Sequence, residues 1–315
     1  MNTRSVTITA VGSYLPPRIM TNDELSRIVD TSDEWIFTHT GIRARHIAEG
    51  ETTAMMAIKA TEDLINRFEI DPKTIDGVIV ATATSDYPGF PSTANLVSQH
   101  FSTTGGAFDV AAGCTGFIYA LDIARAMILS GSMKNALVIG SETLSSVVDW
   151  EDRNTCVLFG DGAAAVLLEQ AAAGGLAPAL LRSEARMAES LTIDPASKFI
   201  TMDGRAVYNF AVRAIGEIII DLTTASGLTL SDLAWIVPHQ ANQRIITATC
   251  KRYEIAEELF YMNIDRVANT SAASIPLALS EMEEKGLLKD GQKILFVGFG
   301  AGLTYGGSII TWQRS

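Results

Sequence analysis

Cationic charge is scarce in this 315-residue chain: 24 Lys and Arg stand against 36 Asp and Glu, a formal net charge of −12. A field of that sign repels nucleic acid and anionic membrane surfaces, so neither is expected as a main partner. Cysteine is scarcer still, with Cys114, Cys156 and Cys250 as the complete set. An odd, sparse count argues against a disulfide framework and points to a reduced, cytoplasmic setting. Met1–Ala10 has no cationic start followed by an apolar run and a small-residue cleavage site, so no export signal is expected. Uninterrupted apolar runs fall well short of the ~18 residues that a membrane span requires. Histidine occurs only at positions 39, 46, 100 and 239, and no cluster has metal-ligand spacing. Low-complexity linkers and charge blocks are missing too. Apolar residues are plentiful, at 47% of the chain, which is ample for a core. The length suits one large domain or roughly two.

The chain repeats itself at a constant offset of 157 residues. GVIVAT from Gly77 returns as AWIVPH from Ala234, VAAGCTGF from Val110 as VANTSAAS from Val267, and ALVIG from Ala136 as KILFV from Lys293. Since the offset is close to half the chain, we read a duplicated fold. Residues 1–172 form one half, residues 173–315 the other, and the small, flexible stretch 171–175 joins them. In each half, short β-branched runs read as buried central strands. Between them lies a helix of small and apolar residues, about 113–129 in the first half. In the matching second-half segment Pro276 is tolerated if it falls in the first helical turn. Amphipathic helices are expected over 53–67 and 207–226. Strand–helix alternation predicts an α/β fold of parallel sheets with helices on both faces, and two packed halves make a five-layer α/β/α/β/α sandwich.

Cys114 follows a strand-like AFDV and opens the small-residue helix, where backbone N–H groups and the helix dipole stabilise a thiolate. By position alone it reads either as a nucleophile or as a buried structural cysteine. Cys156 opens an apolar, strand-like run and Cys250 sits inside a helix, so both read as structural. His239 stands at the carboxyl end of a predicted central strand, where α/β sheets hold ligands, although a capping or solvent-facing role fits equally. For Asn269 the plain role is a helix N-cap. The repeat changes the weighting. Cys114 and Asn269 occupy corresponding strand-to-helix turns, and His239 ends a strand of the same layer, so the three are expected to converge where the halves meet.

AFDVAAGCTGF, VPHQAN, VANTSAAS and GFGAGLTYG together resemble the β-ketoacyl-[acyl-carrier-protein] synthase III family of the thiolase superfamily. The likeness extends from GSYLPPRIMTNDEL and DTSDEWIFTHTGIRARHIA through FGDGAAA to the last strand, in the family's order and spacing. It implies a thiolase-like fold, a homodimer, no cofactor, and acyl-CoA and acyl carrier protein as partners. The implied reaction starts with attack of Cys114 on an acyl-CoA thioester. His239 and Asn269 then stabilise the enolate formed as malonyl-carrier protein loses carbon dioxide. The resemblance assigns the acyl oxyanion to the backbone N–H groups of Cys114 and Ala301, the latter replacing a glycine. It places Trp35 and Arg153 at the CoA adenine, with His39 where a second Arg is expected. Arg244, Lys251 and Arg252 match a carrier-docking helix; Asn209 replaces a docking Lys, with Arg205 and Arg213 nearby.

Phe90 matches a residue that closes the neighbouring subunit's acyl pocket. Together with the turn at 85–89 its bulk suggests a short primer, acetyl-CoA. The leading function is therefore the condensation that initiates type II fatty acid synthesis. A condensing enzyme or acyltransferase of secondary metabolism is the alternative. A non-catalytic carrier-binding partner is a third reading, against which the retained Cys114 argues.

Overall fold

The computed structural model describes residues 5–172 and 174–313. Met1–Arg4, inside the segment read for an export signal, and Ala173, beside the expected junction of the halves, lie outside the described residues.

Alternating burial explains how the sequence makes two sheets with two covered faces each. In the Gly77–Ala81 strand every residue is buried, Ile79 and Ala81 facing one hydrophobic cluster and Val78 and Val80 another. Lys293–Gly300 repeats the pattern, with Ile294 and Phe296 on one side and Leu295 and Val297 on the other. The first sheet runs, in spatial order, Ser5–Tyr14, Gly162–Ala171, Asn135–Glu142, Gly77–Ala81, Gly106–Val110. The second runs Leu233–Pro238, Lys293–Gly300, Thr304–Thr311, with Gly175–Leu176 and Leu180–Ser183 both paired to the last of these.

Both sheets are mixed rather than parallel, which corrects the sequence reading. Gly77–Ala81 pairs in parallel with both its neighbours, and Leu233–Pro238 pairs in parallel with Lys293–Gly300. The later strands turn back instead. Only 301–303 separates Lys293–Gly300 from Thr304–Thr311, too short a connection for a crossover, so that pair is antiparallel.

Five layers follow from what each face covers. Between the sheets lie the Gly116–Ser130 and Ser274–Glu284 helices, whose Phe117, Ile118, Leu121, Ile275 and Leu279 share one cluster with both inner faces. Thr53–Phe68 and Thr93–Phe101 cover the outer face of the first sheet through Met56, Leu64 and Val97. Gly204–Ala225 and Gln243–Tyr253 cover that of the second through Ile215, Ile219, Ile245 and Ile246. Pro276 is the third residue of its helix, where its missing N–H leaves no hydrogen bond unmade.

Two further expectations change. Gly113–Ser130 is long and apolar enough by length and mean hydropathy, 1.2, to cross a membrane, a possibility the search for unbroken apolar runs missed. Here it includes the central helix of the sandwich. Cys156 lies within a turn, 153–158, rather than opening a strand, and only Phe159 of that run forms a β-bridge, to Asn269.

Candidate active site

Cys114 sits in a 3-10 turn, Gly113–Thr115, between the Gly106–Val110 strand and the central Gly116–Ser130 helix. Gly300 lets the second sheet approach it: a Cβ there would lie 2.8 Å from both the Cβ and the backbone N of Cys114. The thiol is 9% exposed and lines a cavity of about 330 Å³. Burial pushes it up to about 11, opposed by the Ser271 hydroxyl and by the backbone N–H groups of Cys114 and Ala301. The two N–H groups assigned to an oxyanion thus converge on this sulfur. The expected lowering by the helix start is outweighed by desolvation on burial.

His239 directly follows the Leu233–Pro238 strand, and its N–H donates to Val297 O at 2.7 Å. It is 1% exposed, and burial pushes the imidazole down to about 3, so it is neutral. Its Nδ1 lies 2.7 Å from Ser274 Oγ, which also accepts from Gln240 N–H at 3.5 Å. With that N–H directed at Oγ, the Ser274 hydroxyl is free to donate to Nδ1. In the tautomer in which Ser274 donates to Nδ1, Nε2 carries the proton and is the donor.

Asn269 is buried, and its backbone is bonded on both sides, from its N–H to Leu158 O at 2.9 Å and from Gly160 N–H to its own O at 3.0 Å. It does not cap the helix, which begins only at Ser274 after a Ser271–Ala273 turn. Instead Oδ1 accepts the Ser271 N–H at 2.9 Å. That bond fixes the amide orientation and leaves Nδ2 to donate elsewhere. One six-residue segment, 269–274, therefore supplies Asn269, lines the Cys114 cavity through Ser271 and touches His239 through Ser274.

Trp35 lies on the Asp33–Thr40 helix, stacked on His39 with ring centroids 4.4 Å apart. The Arg153 guanidinium stands 5.0 Å from the Trp35 ring and donates to Asp30 O at 3.0 Å. The fold thus assembles the three residues matched to a nucleotide. Asn242 ties this helix to the loop after His239, donating from Nδ2 to His39 O at 3.0 Å.

Arg244, Lys251 and Arg252 are exposed on Gln243–Tyr253, and the first two line a second hollow of about 430 Å³ with Phe37 and Tyr208. Arg252 lies outside it, over Tyr253. Of the two substitutes for Asn209, Arg213 is engaged with Glu217 and Glu184, whereas Arg205 is exposed.

Phe90 is 91% exposed and lines no part of its own chain's cavity. Nor does the 85–89 turn narrow that cavity as expected. Tyr87 borders another hollow with Met55 and His100, and Asp86 caps the Thr53–Phe68 helix by accepting from Thr53 N–H. The cavity wall is Leu144, Phe159, Leu191, Ile193 and Ile200, none singled out by the sequence. They come from separate loops and a two-stranded hairpin, Leu191–Ile193 with Ile200–Met202, and share no motif. Ser271 and Ser274 were also missed as individuals, although both lie beside the VANTSAAS signal. Among the described residues no group of three or more His, Cys, Asp or Glu side chains is placed to hold a metal ion.

Comparison with known proteins agrees along the length of the chain. Residues 108–185 match 3-oxoacyl-[acyl-carrier-protein (ACP)] synthase III, and residues 223–312 match its C-terminal region. The β-ketoacyl-[acyl-carrier-protein] synthase III of Clostridium beijerinckii is 42% identical over 98% of this chain and 99% of its own. The crystal structure of 3-oxoacyl-[acyl-carrier-protein] synthase III from Aquifex aeolicus VF5 superposes with a TM-score of 0.94 at 42% identity, covering 98% of this chain and 100% of that one. The priming β-ketosynthase of the R1128 polyketide biosynthetic pathway superposes with a TM-score of 0.93 at 33% identity, covering 99% and 98%.

Proposed function

Because the chain belongs to the β-ketoacyl-[acyl-carrier-protein] synthase III family, we propose that it joins a short acyl group from acyl-CoA to malonyl-carrier protein through an acyl-Cys114 intermediate. The observation that carries this reading is the 269–274 segment, which contains Asn269, bonds to His239 through Ser274 and lines the Cys114 cavity through Ser271. Cys114 Sγ attacks the thioester carbon, and the tetrahedral oxyanion is held by the Cys114 and Ala301 N–H groups. In the second half-reaction His239 Nε2–H and Asn269 Nδ2–H donate to the malonyl thioester oxygen as carbon dioxide leaves. A neutral imidazole is the right form for that task, because it donates without first having to acquire a proton. The resulting carbanion attacks the acyl-Cys114 carbonyl and frees the thiolate.

The adenine of CoA is assigned to Trp35 and Arg153, with His39 already stacked on the indole. Carrier protein docks on Arg244, Lys251 and Arg252, which give this acidic chain a local positive face. Residues 1–172 and 173–315 form the two halves, a division supported by the strand order. In both sheets the half's first strand lies beside its last, and the last lies beside the strand that precedes it in the chain. The enzyme works as a cytoplasmic homodimer, with the exposed Phe90 closing the partner's pocket.

Acetyl-CoA is the assigned primer, on the bulk of Phe90 as the residue that closes the partner's pocket. A second reading, priming of a polyketide, is favoured by the likeness to the R1128 synthase, though at lower identity than the Clostridium relatives. One experiment separates them. Incubation with acetyl-, isobutyryl- and octanoyl-CoA in competition, with peptide mass mapping, is expected to put acetyl on Cys114. Preferential octanoylation overturns the primer, and acylation elsewhere overturns the nucleophile.

A further inference from the structure

Arg45 is the largest fully buried side chain among the described residues, and no step above uses it. It lies on the Ala44–Ile47 strand, and burial pushes its guanidinium down to about 10, so it stays charged at neutral pH. Only Nη2 is hydrogen-bonded. It donates to Asn22 Oδ1 at 2.9 Å and to Val157 O at 3.2 Å, while Nε and Nη1 make no hydrogen bond. Both acceptors are neutral, so no bonded carboxylate offsets the desolvation of this cation. An apolar side chain of similar volume would serve packing as well or better. What the guanidinium supplies instead is a single nitrogen that spans Asn22 and Val157.

Those two acceptors belong to opposite sides of the nucleotide site. Asn22 is buried, and its Nδ2 donates to Asp33 Oδ1 and to Ile42 O, both at 2.8 Å. Asp33 opens the Trp35 helix and Ile42 lies two residues beyond its end, so one amide holds that helix at both ends. With both Nδ2 hydrogens committed, Oδ1 is the atom that faces Arg45. On the other side, Val157 lies in the 153–158 turn that carries Arg153. Thr155 and Cys156 N–H both donate to Asp152 O, at 3.1 and 3.0 Å, which ties Arg153 and Val157 into one unit. The far end of that unit is anchored separately, because Leu158 O and Gly160 N–H bond the backbone of Asn269. At the surface the two sides meet again where Arg153 donates to Asp30 O at 3.0 Å. Arg153 is itself assigned to the ligand, whereas the buried span is a link that a ligand at the surface leaves untouched.

We propose that Arg45 and Asn22 are positioning residues for acyl-CoA, setting the gap between the Trp35 helix and the Arg153 turn into which the adenine fits. The proposal rests on the assignment of the adenine to Trp35 and Arg153. A flat ring gains from both sides of such a gap only if the spacing is right before it arrives. A site that has to be ordered on binding loses affinity to that ordering. Charge-assisted hydrogen bonds suit the task, because they are strong and directional, and burial keeps competing water away. The span requires a donor at position 45 and an acceptor at position 22, not merely volume. Since Leu158 and Gly160 hold Asn269 independently, loss of the span loosens the nucleotide side and leaves the enolate donors in place.

The test combines calorimetric binding of CoA with Cys114 acylation kinetics, in the full chain, for wild type, R45M, R45K, N22A and W35A. Kinetics are read with two donors, acetyl-CoA and the acetyl thioester of N-acetylcysteamine, which has no nucleotide. R45M and N22A should each weaken CoA binding and raise the acetyl-CoA KM about tenfold, the scale of one hydrogen bond to a charged group. Their kcat should change little, and so should acylation by the nucleotide-free thioester. R45K, close to R45M in size but keeping a donor, should recover part of the affinity, as a purely structural role would not. Equal losses with both thioesters, or wild-type CoA affinity in R45M and N22A, overturn the proposal. If R45M does not fold, judged by circular dichroism, N22A decides. W35A tests the adenine assignment separately and should weaken CoA binding with Arg45 intact. Unchanged affinity in W35A overturns that assignment and the proposal with it. Weakened affinity in W35A beside wild-type affinity in R45M and N22A overturns the proposal alone.

Discussion

The turn that carries Cys114 and the turn that carries Ser271 are built alike and do different work. Both are 3-10 turns, Gly113–Thr115 and Ser271–Ala273, that lead directly into a central helix, and neither has a side-chain N-cap. What precedes them differs. Gly106–Val110 is a paired strand, whereas the equivalent stretch contains a short helix, Ile264–Val267, followed by an isolated Asn269–Phe159 bridge outside both sheets. The first turn takes its positive φ at Gly113, and the second takes it at Ser271 itself. One scaffold can thus present a nucleophile on one side and, on the other, a rigid set of donors aimed at it. Keeping the donors on their own strained segment lets their geometry be set without disturbing the nucleophile.

The largest expected effect comes from separating the two sides. His239→Ala and Asn269→Ala should each slow malonyl decarboxylation by on the order of 10²–10³-fold, because each removes a donor to the enolate. Cys114 should still take up an acyl group from acyl-CoA. Release of carbon dioxide and mass-detected acylation measure the halves independently, and normal decarboxylation in either variant breaks the comparison.

Next in size is a steric change on the seam. In Gly300→Ala the new methyl meets the Cys114 backbone at 2.8 Å, so the nucleophile's turn has to move. Overpacking of this kind costs about 1–3 kcal/mol. Thermal unfolding should register that loss, and acylation should fall with it while decarboxylation falls less.

The last effect concerns His239 and is confined to acid pH. Its folded pKa, about 3, lies below the ordinary 6.5. Between those values the unfolded chain binds the extra proton, so His239 removes stability as pH falls from 6.5 towards 3. Denaturant titrations should therefore show a flatter acid limb for His239→Gln than for wild type, and identical limbs would mean the ring is solvated.

Much of this was legible in the residues, for identifiable reasons. The repeat located the Cys and Asn turns because short buried strands keep β-branched runs, and the strand–turn–helix junctions between them keep small residues. HQAN marked the end of a strand because apolar Ile236, Val237 and Pro238 give way there to polar side chains. The apolar wall of Leu144, Phe159, Leu191, Ile193 and Ile200 was not legible, since its members come from loops and a hairpin with no periodicity in common. Glu142, buried at the end of the Asn135–Glu142 strand, was hidden for another reason. A carboxylate ending a strand reads as solvent-facing, and only the donors of Thr82, Ala83 and Thr84 gathered on its Oε2 make the burial tolerable.

Local chemistry along the chain, then, determined the secondary elements, the duplicated plan and the identities of Cys114, His239 and Asn269. Tertiary structure alone decided the sheets' mixed sense and the ionisation of the site. Isolated helix-start logic called for a lowered thiol pKa. Closing two sheets around the cavity removed the water that would have stabilised charge, raising the thiol and lowering the imidazole together. Desolvation depends on what surrounds a group in three dimensions, and no window of sequence contains it.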